Sequence, residues 1–375
     1  MTLSRVQSLN NNTKAFLELV KAGLWEKKVR LLPFGKVDYE EIMRLAEEQS
    51  VAGLVTAGLE RVADVKVPQV ELLQFIGSTL QLEQRNKDMN VLLAGLTERL
   101  RREKVHGLLV KGQGVAQCYE KPLWRASGDV DLILDADNYE RAKSVLFPIA
   151  ERVDKEETIA KHQALSIKGF EVELHGRMPF FLSRRVDDMI DDVLADSLKK
   201  DGNRIWKLGE TDVYLPKPDN DVIIVFTHFL FHFFVEGVGL RQICDWCRLL
   251  WNYRESLNHE LLETRIRKMG LMTEWKAFAS LAVNTLGMPK ESMPFYSKGF
   301  DKKADRILRH ILKSGNMGHN NDLSYRAKYR GLVSGMITFY RRVCDFVKFT
   351  FIFPVNAPRF FVTYVFSKVK YYFFA

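Results

Sequence analysis

Arg125-Ala126-Ser127-Gly128-Asp129-Val130-Asp131-Leu132-Ile133-Leu134 is the stretch on which the fold turns. Val130 to Leu134 is a short run rich in β-branched and aliphatic residues, which predicts a buried strand. Side chains two apart on a strand share a face, so Asp129 and Asp131 stand side by side at its beginning. Two carboxylates that close repel unless a cation binds between them. Mg2+ (or Mn2+) suits such a pair, because it takes one or two carboxylates and completes its shell with water and phosphate oxygens. Two such ions can clamp the attacking and leaving oxygens of an in-line displacement at phosphorus.

Upstream, Gly107 to Val110 reads as a strand, Lys111-Gly112-Gln113-Gly114 as a glycine-bearing turn, and Val115 to Tyr119 as the first turns of a helix. The glycines let backbone N–H groups approach a phosphate closely, and a helix start favours negative charge. Lys111, Gly112, Gln113, Arg125 and Ser127 are therefore the expected phosphate-binding residues, with Lys111 and Arg125 neutralising a triphosphate. Downstream, Asp137 is the expected N-cap of a helix over Tyr139 to Leu146. Ala164 to Ile167 and Glu171 to Leu174 read as two strands joined by Lys168-Gly169. A third metal ligand is expected on the second of these, where Glu171 and Glu173 share a face. Glu173 is chosen because Glu173-Leu174-His175-Gly176-Arg177 gathers a carboxylate, an imidazole and a guanidinium within five residues. The alternative is that one or both glutamates only decorate an exposed strand face.

The arrangement K-G, then R-x-S-G-D-V-D, then E-L-H-x-R resembles the uncharacterised bacterial nucleotidyltransferases of the DNA polymerase β superfamily. Phe16 to Trp25 resembles that family's opening helix, and Gly237-Val238-Gly239-Leu240-Arg241-Gln242 with Asp245-Trp246 resembles a later helical motif, so the resemblance runs over nearly the whole chain. It implies a mixed sheet flanked by helices and a divalent metal on Asp129, Asp131 and Glu173. It also implies transfer of a nucleoside monophosphate from a nucleoside triphosphate to a hydroxyl acceptor, with release of pyrophosphate. The acceptor stays open among a sugar, another small molecule, an RNA end and a protein side chain. Gly112-Gln113 departs from the usual Gly-Gly or Gly-Ser of the superfamily, which leaves the nucleotide open. It also motivates an alternative, a regulatory protein that binds nucleotide without catalysis.

The rest of the chain frames this core. With 375 residues, 46% of them hydrophobic, it exceeds one ordinary compact domain. Helical spacing predicts short helices around Phe16 to Val20, Tyr39 to Glu47 and Val51 to Val62, and a long amphipathic one from Gln69 to about Lys104. Helices return after Pro216 and Pro218, clearest over Val222 to Val235 and Gly239 to Trp251. The expected class is α+β. A helical region over 1–105 and a second over 217–320 flank a nucleotidyltransferase core over 106–216, and a basic aromatic tail occupies 321–375.

Several features carry competing readings. His228 and His232, four apart, could bind metal but lack the intervening glutamate of a zinc-protease helix, so packing is the preferred role. His162, just before a strand, is equally open. Arg241 and Asp245 form either an intrahelical ion pair or a cleft-facing arginine and its neighbour. Cys244 and Cys247 have no second C-x2-C, which argues against zinc. The formal charge of +9 suggests an anionic partner, and nearly all of it comes from nine basic residues against Asp345 between 324 and 375. That tail can pack on the body, lie on an anionic membrane, or bind nucleic acid, and its charges interrupt every apolar run before the roughly 20 residues of a spanning helix. Met1 to Lys14 lacks the apolar segment of a secretory signal and the four cysteines are too few for a disulfide framework. The expectation is thus a cytoplasmic protein, with the inner membrane face as an alternative station.

Overall fold

The computed structural model describes residues 9–199, 201–321, 328 and 332–374, with side chains described up to 366. Helices α1 (Asn11–Leu24), α2 (Tyr39–Glu48), α3 (Ala52–Leu59) and α4 (Gln69–Arg102) form the N-terminal part. Asn10 and Asp38 cap α1 and α2 through their side chains. Helices α1 and α3 pack with their backbones nearly touching. A Cβ on Gly23 would lie 2.0 Å from the Leu54 carbonyl oxygen, and one on Gly58 2.2 Å from that of Leu19, so only glycine permits this approach.

The mixed sheet follows: β1 (Leu108–Val110), helix α5 (Gly112–Ala116), β2 (Asp129–Ile133), α6 (Ala136–Leu146), β3 (Arg152–Val153), β4 (His162–Ile167) and β5 (Phe170–His175). The strand order is β1-β2-β5-β4-β3. Strands β2 and β5 run parallel and the remaining pairs are antiparallel. One face of the sheet, carrying Val130, Leu132, Val172 and Leu174, packs against Leu92, Leu93 and Leu96 of α4 and Tyr139 of α6 in a core of its own. Helix α6 is capped by Asp135, whose side chain accepts from the Asn138 N–H, and not by Asp137, because the helix begins at Ala136. Helix α5 starts at Gly112, three residues before the expected Val115, and stops at Ala116.

Helix α7 (Arg184–Leu198) and the hairpin of β6 (Arg204–Leu208) and β7 (Thr211–Leu215) lead to α8 (Pro218–Val235), α9 (Leu240–Asn252), α10 (His259–Met269), α11 (Met272–Asn284) and α12 (Asp301–Ser314). Helix α8 is apolar nearly all round and sits at the centre of the larger core, which draws on residues from Ala15 of α1 to Phe360 near the C-terminus. Two further helices, α13 (Leu332–Thr350) and α14 (Asn356–Phe374), form a hairpin against α8. Phe349 meets Phe233 at 4.9 Å and Phe360 meets Phe234 at 5.2 Å between ring centroids, so this part of the tail packs on the body. Arg326 and Arg330, and the side chains of Lys368 and Lys370, lie outside the described residues. Among the described residues no helix is long and apolar enough to cross a membrane.

Candidate active site

The parallel pairing of β2 with β5 sets Asp131 opposite Glu173 and Asp129 opposite Glu171. Alternate residues of these strands enter the core behind the sheet, so Asp129, Asp131, Glu173 and His175 face the other way, into a cleft of about 1200 Å3. One oxygen from each of Asp129, Asp131 and Glu173 lies within 4.8 Å of the others. Glu171, one pair earlier, is engaged by Arg152 at 3.1 Å at the exposed end of the strand and is not part of this group. His162 stacks on His175 at 4.9 Å, and with Glu173 these rings form a second cluster of potential ligands.

The charges are tightly balanced. Lys111 Nζ lies 2.8 Å from Asp131 Oδ1, and His175 Nε2 lies 2.9 Å from the same oxygen and 3.2 Å from Glu173 Oε2. Asp131 Oδ2 is buried and has no hydrogen-bond partner among the described residues. Repulsion from Asp131, then burial, raises the Asp129 carboxyl above its usual value. Burial pushes the Glu173 carboxyl the same way, but the imidazoles of His162 and His175, 3.3 and 3.2 Å from its Oε2, outweigh it and hold the group well below the ordinary range. Burial works against the charge of Lys111 too, and is outweighed by Asp131, Asp129 and Glu173. Three carboxylates with one orphaned inward oxygen are an all-oxygen donor set, which fits a hard divalent cation such as Mg2+ or Mn2+.

The expected phosphate-binding residues divide. Lys111 holds the unusual backbone angles φ 56° and ψ −145°, which direct its side chain onto Asp131. Gly112, at φ 38°, lines the cleft with its backbone. Gln113 does not: its side chain is buried on the far side of α5, donating to Asn86 Oδ1 at 2.9 Å, so the expectation of a phosphate contact from this side chain is corrected. The glutamine thus leaves the cleft unobstructed. Arg125 lines the cleft, but its guanidinium is already committed. It grips Asp245 in two hydrogen bonds of 3.0 and 2.7 Å and donates to Ser127 Oγ at 2.9 Å.

That grip decides the Arg241 question. Asp245 is occupied by Arg125 and by the Tyr119 hydroxyl at 2.7 Å, so no intrahelical pair with Arg241 forms. Arg241 instead reaches the cleft, donating to the Ala126 carbonyl at 2.7 Å, while its buried Nε has no partner. Two residues assigned to packing also reach the cleft. His228 Nε2 accepts from Lys111 Nζ at 3.0 Å, and burial followed by the Lys111 charge pushes its pKa well down, so the imidazole is neutral. His232 stands 3.1 Å behind it and bonds Glu236 at 2.9 Å. No local pattern in the sequence ties these histidines to Lys111, which lies 117 positions before His228. Cys244 and Cys247 are buried free thiols among apolar neighbours.

A mixed sheet that presents clustered carboxylates and cations into one cleft is an arrangement suited to phosphate-ester chemistry. The model of the uncharacterised nucleotidyltransferase family matches residues 35–287, and the chain belongs to that family. It is a nucleotidyltransferase. The match takes in every cleft residue from Lys111 to Asp245, while Phe16 to Trp25 and the helices from α12 onward fall outside it, so the likeness is narrower than the whole chain. No curated protein and no solved structure matches the chain.

Proposed function

We propose that this enzyme moves a nucleoside monophosphate from a nucleoside triphosphate to a hydroxyl acceptor, as a member of the DNA polymerase β superfamily, with Mg2+ or Mn2+ held by Asp129, Asp131 and Glu173. The observation that carries this reading is the buried, unpartnered Asp131 Oδ2 inside a three-carboxylate group whose ligand atoms lie within 4.8 Å. An uncompensated buried carboxylate oxygen is costly, and a cation offsets that cost. Bound there, the metal supplies charge neutralisation on the triphosphate and acidifies the acceptor hydroxyl.

The chain's own residues do the rest. Lys111, aimed by neutral His228, fixes the orientation of Asp131. The Arg125–Asp245 pair, the Ser127 bond and the Arg241 bond to Ala126 pin the loop that carries Asp129 into β2. Arg241 Nε and the Gly112 N–H take phosphate oxygens. The hydroxyl oxygen bonds the α-phosphorus as the bond from that phosphorus to the bridging oxygen breaks, pyrophosphate leaves, and the hydroxyl proton passes to solvent. The acceptor, whether a sugar, another small molecule, an RNA end or a protein side chain, enters beside Thr338, Arg342 and Tyr364 of the C-terminal hairpin. A binding-only role loses its motive once Gln113 is out of the cleft.

The test is pyrophosphate release from each ribonucleoside triphosphate with Mg2+ or Mn2+ and a cell extract as acceptor pool. Asp131→Asn and Glu173→Gln are expected to lose at least ~10³-fold, while Glu171→Gln keeps the rate. Nucleotide-dependent thermal stabilisation with no pyrophosphate from any triphosphate would reject catalysis.

A further inference from the structure

The hairpin of α13 and α14 lies outside the family match and has two unlike sides. Its inner side packs on α8 through Phe346, Phe349 and Phe360 and walls the cleft with Arg342 and Tyr364. Its outer side carries Val333, Met336, Tyr340, Val347 and Phe351, which are between 49% and 71% exposed. Their spacings of three, four, seven and four place them in one row along the helix. Val355 and Val362 extend the apolar surface across the turn onto α14. Arg341, Lys348 and Arg359 stand among these residues. A charged residue every few positions is what a helix lying in a bilayer interface carries, and none of the described helices is apolar enough to span one.

We infer that this outer face docks the enzyme on an anionic lipid surface, with the apolar row at the level of the acyl chains and the basic residues at the headgroups. Charge complementarity selects this occupant. Among the described residues Arg341, Lys348 and Arg359 stand beside the apolar row, and the single acid of the hairpin, Asp345, is paired with Lys348 at 2.8 Å. A second copy of the same face would bring like charge against like charge, whereas acidic headgroups attract it. Val333, Met336 and Val347, three of the five residues in the row, fit acyl chains and cannot stack on a base. The inference is independent of the reaction assigned to the cleft.

Sedimentation of the full chain with vesicles tests it. The protein is expected to pellet with phosphatidylcholine vesicles containing phosphatidylglycerol and not with pure phosphatidylcholine, and to be released by high salt. Met336→Ser/Tyr340→Ser/Phe351→Ser, checked for folding by circular dichroism, should weaken binding at least ~10-fold. Should that variant fail to fold, Lys348→Glu/Arg359→Glu reads the electrostatic arm at two exposed positions and should also release the protein. No pelleting at low salt, equal pelleting of wild type and folded variants, or a solution dimer that the serine variant dissociates would each overturn the inference.

Discussion

Arg125 and Arg241 both reach this cleft yet do different work, because the Arg125 guanidinium is held by Asp245 while Arg241 keeps an unpartnered Nε. Arg125 and Asp245 are both buried and bonded to each other twice, so Arg125→Gln strands a buried carboxylate and is expected to cost about 3–5 kcal/mol in chemical denaturation. Arg241→Gln gives up one carbonyl hydrogen bond and the unpartnered Nε. It is expected to raise KM for the triphosphate roughly 10-fold with little change in stability. A reversed pattern in steady-state kinetics and melting would exchange their roles. The carboxylates make a second prediction. Asp129 is held above its ordinary value, so without metal the stability tied to that group is present at low pH and lost as pH rises through the raised value. Mg2+ or Mn2+ added at neutral pH should therefore raise Tm of the wild type and not of Asp129→Asn/Asp131→Asn, which thermal melts with and without chelator will decide. Asp129 and Asp131 stand out in the sequence because a strand's alternation fixes their common face. The direction of Gln113 does not, since a single short helical turn has no periodicity to show which side is buried.

At the scale of elements, α11 meets the turn into α14 around one buried acid. Glu274 is 1% exposed, has an unpartnered Oε2, and is pushed up to about 7 by burial, against a hydrogen bond from Asn356. Its favourable contribution is complete below the ordinary value of 4.5 and is lost as pH rises through about 7. Glu274→Gln should flatten the fall of Tm between mildly acidic and mildly alkaline pH, raising Tm at the alkaline end by roughly a few degrees. Parallel pH–Tm curves for the two proteins would mean that Glu274 does not govern this slope. Long elements such as α4 and α8 are legible in the sequence, because an amphipathic or wholly apolar run sustained over many residues outlasts local noise. The hairpin of β6 and β7 escapes notice: Arg204-Ile205-Trp206-Lys207 mixes charged and apolar residues, and its burial is only partial. Helix α7 had a readable signal in the Ser183 cap followed by Val186, Met189, Ile190, Val193 and Leu194.

Across the whole molecule, the first helix and the last share one core with the helices that carry Arg241 and His228. The C-terminal hairpin buries Phe346, Phe349, Ile352, Phe353 and Phe360 in that core, and each such side chain contributes about 1.5–3 kcal/mol. Ending the chain before residue 332 should therefore lower Tm by roughly ten degrees or more, or drive aggregation through the uncovered Phe233 and Phe234. A truncated chain that stays monodisperse with unchanged Tm would show that the hairpin is not part of the core.

The amino-acid order by itself determined the α+β class, the long helices and the pairing of two aspartates at the head of a strand, because these follow from repeat distances within one segment. Which glutamate joins them, which arginine stays free and where the two histidines point were decided only by tertiary structure. Glu173 meets Asp131 through parallel pairing across more than forty residues, and Asp245 is taken by Arg125 from a distant loop. His228 meets Lys111 across 117 positions. Contacts of that span depend on how the elements pack, and no local periodicity encodes them.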